Sequence, residues 1–326
     1  MKKFLRNILL ILGIPFVIIF ALYWLTDPFR INKKFTLEDA PTVNREYIST
    51  ELFLLQNSKY KYNSFVFSSS RGCRVNTYVW KKLLEETTTQ KDTVSQFLFQ
   101  SWAENIYGIE QKINFLDKNN IAIDNALLLI DYDCSFITSN NDKAFHKRHY
   151  LLANKSKFSY RINFFLAYLS KPSKIVSSIT NVFQKSAPVF DTISNDWLAA
   201  NRHNTAERPE QDFSLNKSKF SIIRSTNESF AAQAITPEYE NVLRQIKKIL
   251  DKHHTNYKLF VTPTYNQIHI NQQDFQLLQE IFGKENVSNF SGKNAITEDK
   301  YNFSDVAHFD LVVGWDILHK IYKNDN

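Results

Sequence analysis

Residues Ala126–Asp131 read ALLLID, five apolar residues in a row closed by a carboxylate. A strand with one face in water alternates apolar and polar residues. An unbroken apolar run therefore predicts a strand covered on both faces, the habit of parallel sheets. Working outward, Tyr257–Val261 (YKLFV), Ser64–Phe67 and Val94–Phe99 read as further buried strands, with a short one at Val287–Asn289. Between them the period lengthens. Asn76–Leu84 starts a helix, and Ile106–Leu116 puts Ile106, Ile109, Ile113 and Leu116 on one face. Pro237–His254 turns Val242, Ile246 and Ile249–Leu250 inward, and Asp274–Phe282 and Leu311–Tyr322 complete the set. Strands alternating with helices predict βαβ units and a mainly parallel α/β sheet. From Cys134 to about Thr236 the alternation stops, so residues 135–236 are expected to form a helical insert, a lid or subdomain without clear strands.

Composition limits the chemistry. Of 326 residues, 43% are hydrophobic and 22% charged, which excludes a disordered chain. Two cysteines exclude a disulfide-built scaffold and any Cys-rich metal centre. With six glycines and no GxGxxG or Walker-type string there is no phosphate loop, and no cofactor is expected. Cys73 and Cys134 fall near adjacent strand ends, where a disulfide and two free thiols are both open. His146, His149, His253 and His254 read as solvated histidines, because no acidic or Cys partner has ligand spacing; no metal is expected.

The N-terminus reads differently. Ile8–Leu25 is an uninterrupted apolar run of 18 residues, counting Gly13 and Pro15 as tolerated in membrane helices. Lys2, Lys3 and Arg6 precede it and the first acid, Asp27, follows it, which predicts a cytoplasmic N-terminus and an extracytoplasmic body. A cleaved signal peptide competes, but the run ends Ala-Leu-Tyr-Trp-Leu, with no small-x-small site. Residues 1–26 are thus expected to be a single-pass transmembrane anchor, with Tyr23 and Trp24 at the outer interface. Residues 27–60 would be a stalk with a short helix around Val43–Gln56, and residues 61–326 the α/β domain.

Reacting groups of open parallel sheets gather at the C-terminal ends of strands. At the first such end the chain reads FVFSSSRGCR, which puts Ser70 where strand gives way to helix and N–H groups converge. Near the C-terminus NFSDVAHFD supplies Asp305 and His308 just before the last helix. A serine nucleophile needs a base, and the base needs a carboxylate to fix its tautomer. Each signal alone also fits a strand–helix turn or a helix cap. Arg71 could orient substrate or pair with a core acid, and Tyr265 and Asn266 sit at the expected substrate rim.

Together these blocks resemble the SGNH (GDSL-like) hydrolase superfamily, over Ser64 to Tyr322. Ser68-Ser69-Ser70-Arg71 is similar to the G-S-S-R block of its membrane-anchored extracytoplasmic members, and Asp305, His308 and Phe309 to its D-x-x-H block. YGIEQKINFLDKNNIAIDNALLLIDYD, PTYNQIH and IFGKENVSNFSGKN resemble the same subgroup. The resemblance implies a flavodoxin-like three-layer fold and a Ser70–His308–Asp305 triad in an esterase or O-acyltransferase. Better-known relatives act in O-acetylation of alginate-like exopolysaccharides and D-alanylation of teichoic acids, beside a multi-pass membrane acyltransferase. It therefore implies a glycan substrate and the bacterial cytoplasmic membrane. The chain departs from the pattern at Ser68-Ser69 for Gly-Asp, at Ala103 for an oxyanion-donating Gly, and at Asp133 for a donating Asn. A carboxylate accepts and does not donate; Asn266, after the Tyr257–Val261 strand, could substitute as donor. A catalytically inactive SGNH-like domain that binds glycan or a membrane partner is the alternative reading.

The net charge of +7 is unevenly spread. Lys2, Lys3 and Arg6 flank the apolar run, and residues 143–185 hold nine more bases (Lys143, Lys147, Arg148, Lys155, Lys157, Arg161, Lys171, Lys174, Lys185) with no acid. The rest of the chain carries more acids than bases, so a nucleic-acid partner is not expected. Within the basic segment RINFFLAYLS and KIVSSITNVF read as amphipathic helices, set against an anionic membrane surface, an acidic glycan, or a buried apolar side of a solvated lid.

Overall fold

The computed structural model of the chain describes residues 1–36, 44–87, 94–137, 148–170, 173, 190–197, 220 and 224–323. It divides into two compact units, one of Met1–Glu51 with Asn141–Pro188, the other of Leu52–Asn140 with Val189–Asn326. The expected insert is therefore not one body, and the boundary near residue 60 falls instead between Glu51 and Leu52, inside helix α2 (Arg45–Tyr60).

The larger unit is built on five strands: β1 (Ser64–Ser68), β2 (Gln96–Gln100), β3 (Asn125–Ile130), β4 (Asn256–Val261) and β5 (Val287–Asn289). All neighbours pair in parallel, in the order 2-1-3-4-5. Every residue of β1, β2 and β3 is buried, as the apolar runs required. Alternation sorts their side chains between two layers. Val66, Leu98, Leu127, Leu129 and Phe260 form one core with Trp80, Leu83 and Leu84 of α3 (Thr77–Thr87) and Val313, Ile317 and Leu318 of the C-terminal helix, Leu311–Lys323. On the other face Phe53 meets Phe65, Phe97, Phe99 and Phe115, the last from α4 (Ile106–Lys118). Tyr107 of α4 in turn packs on Tyr239 of Pro237–Lys252. Helix, sheet and helix make the three layers of an α/β fold.

The expected absence of strands before residue 236 needs one correction. Ser229–Phe230 pairs in parallel with Ile268–His269, a two-residue ribbon too short to leave a periodic signal. KIVSSITNVF lies outside the described residues.

In the smaller unit the apolar run forms α1, Lys2–Thr26. Asp27 turns left-handed (φ 42°) and its carboxylate accepts the N–H groups of Ile31, Asn32 and Lys33. Among the described residues no helix is long and apolar enough to cross a membrane. Ile8 and Leu9, the first residues of the expected span, have side chains outside that description, so the transmembrane reading rests on the sequence run. Tyr23, expected at an interface, is buried against Phe29, Phe165 and Tyr168, whereas Trp24 is exposed. Phe165 and Tyr168 belong to α5, Lys157–Leu169, which contains RINFFLAYL and starts from a Ser156 cap.

Candidate active site

In the order 2-1-3-4-5 the connections leave β1 and β3 on opposite sides, opening a crevice outside their C-terminal ends. β1 stops at Ser68, and the chain enters a one-turn 3₁₀ helix, Ser70–Arg74. Ser69 caps it by accepting the Arg71 N–H at 3.2 Å. The turn folds back so far that a Cβ on Gly72 would lie 1.7 Å from the Ser68 hydroxyl oxygen. Only glycine fits there. The Ser70 hydroxyl is left partly exposed above the strand ends.

The second component is a closed loop before the last helix. Phe303 and Phe309 form an antiparallel bridge, the Asp310 N–H donates to Asn302 O at 2.8 Å, and the Ser304 N–H donates to His308 O at 3.0 Å. Inside it the Asp305 carboxylate accepts the N–H groups of Ala307 (2.7 Å) and His308 (2.9 Å). Both its oxygens are 2.9 Å from His308 Nδ1, and His308 Nε2 is 2.8 Å from Ser70 Oγ. Burial pushes the Asp305 carboxyl up, but the His308 hydrogen bond and charge and the two N–H donors outweigh it and hold the carboxyl at about 2. An ionised carboxylate can only accept, so Nδ1 carries the imidazole proton. Nε2 then presents its lone pair to the Ser70 O–H.

Two arginines of the Ser70–Arg74 turn tie it to this loop. Arg71 donates Nε–H to Ala307 O at 2.7 Å, and Arg74 donates Nη2–H to Ser304 Oγ at 2.8 Å. The last helix approaches the same turn so closely that a Cβ on Gly314 would lie 1.9 Å from Arg74 O. Ser70 and His308, 238 residues apart, are thereby held by side chain, backbone and helix packing at once.

Beneath the turn sits Asp131, fully buried where β3 ends. It accepts from Ser69 Oγ and, at 2.5 Å, from Thr262 Oγ1, and lies 3.0 Å from Arg71 Nη1. Burial pushes its carboxyl up, while Arg71, Ser69 and Thr262 bring it below the ordinary value. Arg71 also grips Asp133 bidentately, at 2.6 and 2.8 Å. Of the two readings open for Arg71, the structure has it paired with acids. Desolvation would lower its pKa, but Asp131 and Asp133 raise it well above the usual value.

The expected oxyanion and rim residues are placed unevenly. Ala103 is exposed in the turn after β2, at φ +47°, a left-handed conformation that glycine adopts without strain. That turn is anchored from below by a buried ion pair of Glu104 with Lys112, whose ammonium lies 5.5 Å from the centre of the Phe99 ring. Asp133 is held by Arg71 and not directed to Ser70 as a donor. Asn266 donates its amide to the Tyr132 hydroxyl at 2.6 Å and accepts from Thr264 Oγ1 at 2.8 Å, so it does not fill the donor position either. Tyr265 is buried between Phe220, Phe303 and the Arg224 guanidinium, packing beneath the histidine loop and not lining a rim.

Both cysteines are free. Cys134 donates towards Asp131 at 3.4 Å, and burial raises its thiol well above the usual range. His149 Nε2 lies 3.1 Å from Glu51 and His253 Nε2 2.8 Å from Asp117, so neither is simply solvated. His146 lies outside the described residues. Sequence reasoning missed Asp131, Ser69, Thr262, Arg74 and Ser304 as supports of the site. The signal for Asp131 was present: a carboxylate closing a fully buried strand must find partners. Compared with family models and with curated proteins, the chain finds no match.

Proposed function

We propose that this chain is a membrane-anchored, extracytoplasmic serine esterase or O-acyltransferase acting on acyl esters of envelope or exported polysaccharide. The observation that carries the reading is the continuous hydrogen-bonded line from Ser70 Oγ through His308 to Asp305, at 2.8 and 2.9 Å. His308 Nε2 takes the Ser70 proton as Oγ attacks the acyl carbonyl, and the ionised Asp305 stabilises the imidazolium. Collapse of the tetrahedral intermediate breaks the ester C–O bond, and His308 returns the proton to the leaving alkoxide. The acyl-serine is then released by the reverse sequence, to water in an esterase or to a sugar hydroxyl in a transferase.

Support for the anchor comes from the 18-residue apolar run and the basic residues before it. The polysaccharide, the bacterial cytoplasmic membrane and a multi-pass acyltransferase neighbour follow from the SGNH resemblance. One observation favours the alternative of an inactive SGNH-like binding domain: the position expected to supply a donating Asn holds Asp133, a carboxylate gripped by Arg71. A small acetyl-ester assay, with and without an acceptor glycan, comparing wild type with Ser70→Ala tests both. Loss of turnover in the variant supports the enzyme; equal rates in both proteins remove Ser70 from any mechanism.

A further inference from the structure

Helices α1 and α5 enclose a groove of about 210 Å³, lined by Phe20, Trp24, Lys157, Phe158, Arg161 and Phe165 among others. Its walls are rings and its rim carries two cations. That volume is below the roughly 300 Å³ at which drug-sized ligand pockets begin; it suits a short stretch of hydrocarbon chain beneath a charged head. Phe165 crosses Phe16 and Phe20 edge to face at 5.7 and 5.2 Å, which fixes α5 alongside α1.

The outer face of α5 has no reason to be apolar in water. Phe158, Ile162 and Leu166 recur at every fourth position and are 75%, 37% and 56% exposed. They continue the exposed surface of α1, where Leu25 is 70% and Trp24 46% exposed. The cations are built in at the same level. Arg161 lies 5.7 Å from the Trp24 ring centre and is held by carbonyls, Asn32 O at 2.6 Å and Ile31 O at 3.4 Å. Lys33 reaches Leu25 O at 3.2 Å, at the C-terminal end of α1. Two acids lie near. Asp27 is buried with its oxygens on backbone N–H groups. Glu51, whose carboxylate feels the Lys157 charge, is engaged by His149 Nε2 at 3.1 Å. The sequence from 143 to 185 holds no acid. An anionic head above an acyl chain complements this arrangement of cations above rings.

We infer that the groove between α1 and α5 is a docking site for an anionic phospholipid, its acyl chain against Phe20, Phe158 and Phe165 and its phosphate between Lys157 and Arg161. The inference rests on the membrane reading of α1 and adds to it a choice among lipids. At about fivefold per basic side chain at a membrane surface, the two cations give an anionic lipid roughly a twenty-five-fold preference over a zwitterionic one.

The test uses the full chain reconstituted in phosphatidylcholine vesicles doped with brominated phosphatidylglycerol or, at equal mole fraction, brominated phosphatidylcholine. Quenching of Trp24 is taken as the difference between wild type and Trp24→Phe. The expected result is stronger quenching by the brominated phosphatidylglycerol, with the preference cut about fivefold in Lys157→Gln. It should vanish in Lys157→Gln/Arg161→Gln. Lys157 is exposed on α5, so its single variant reports on binding even if loss of Arg161 loosens the Ile31–Asn32 turn. Equal quenching by both lipids overturns the docking site and leaves the anchor standing. A preference that survives in both variants overturns the assignment to this groove. Quenching by neither lipid overturns the membrane reading itself.

Discussion

The two sides of Ser70 are built to different standards. On the base side, Asp305, His308 and the carbonyl of Ala307 lie in a single loop whose turn is closed by its own backbone and clamped by Arg71 and Arg74. On the acyl side, the three positions named for the oxyanion hole hold an exposed Ala103 in a left-handed turn, an Asp133 bound to arginine, and an Asn266 bound to tyrosine. Local sequence can complete a base, because three residues of one turn bring Asp and His together. An oxyanion hole needs N–H groups from separate strand ends to converge, and no short motif guarantees that.

Removing the Ser70 hydroxyl breaks the comparison most severely. If the base side is a working triad, Ser70→Ala lowers the ester turnover number about 10⁶-fold, as loss of the serine does in serine hydrolases. Binding of acyl-ester substrate should be retained. Retained turnover would reduce the Ser70–His308 contact to a structural hydrogen bond.

Asp305→Asn comes next, with a loss of about 10⁴-fold at neutral pH, because an amide can leave His308 with its proton on the wrong nitrogen. This residue also sets an acid limit. Its folded-state value of about 2 lies below the ordinary 3.8, so the stability its bonds lend is complete above the ordinary value. That stability is lost as pH falls through about 2. Thermal melts of wild type and Asp305→Asn should converge at the acid end and separate towards neutrality. Parallel curves over the whole range would contradict the ionised carboxylate on which the tautomer argument depends.

Arg71 belongs to both sides, since it ties the histidine loop through Ala307 O and holds Asp131 and Asp133. Arg71→Met strips a fully buried carboxylate of its cation and should cost about 3–5 kcal/mol in denaturant unfolding. Asp133→Asn leaves Asp131 paired and alters a side chain 43% exposed, so its cost should stay within about 1 kcal/mol. A cost for Asp133→Asn as large as that for Arg71→Met would move the weight of the network to the outer acid.

This network marks where the sequence ceased to be readable. The order of strands and helices followed from apolar periodicity, because parallel strands buried on both faces leave long runs such as ALLLID and FVF. Ser70, Asp305 and His308 were legible because strand end and pre-helix loop are positions of known chemistry in such sheets. The partners of Asp131 were not. Ser69 and Arg71 reach it from the end of β1 and Thr262 from the end of β4, and only the register of β1, β3 and β4 brings them together. The division of residues 135–236 between two units was equally hidden, since α5 is amphipathic whether its apolar side meets the α/β core or α1.

The smallest effect sharpens the acyl side. Ala103 holds φ at +47°, where an L side chain crowds the following carbonyl at a cost of roughly 1–2 kcal/mol. Glycine relieves that strain but gives back about 0.4–1 kcal/mol through greater freedom of the unfolded chain. Ala103→Gly should therefore stabilise the fold by about 1 kcal/mol or less, seen as a small rise in the denaturant midpoint. Its effect on turnover carries more information than its effect on stability. A glycine keeps the N–H and removes only the Cβ, so an unchanged rate means that the methyl group does not stand between that N–H and the acyl oxygen. A rate that climbs several-fold would locate the weakness of the acyl side in a single methyl group, and not in the carboxylate at Asp133.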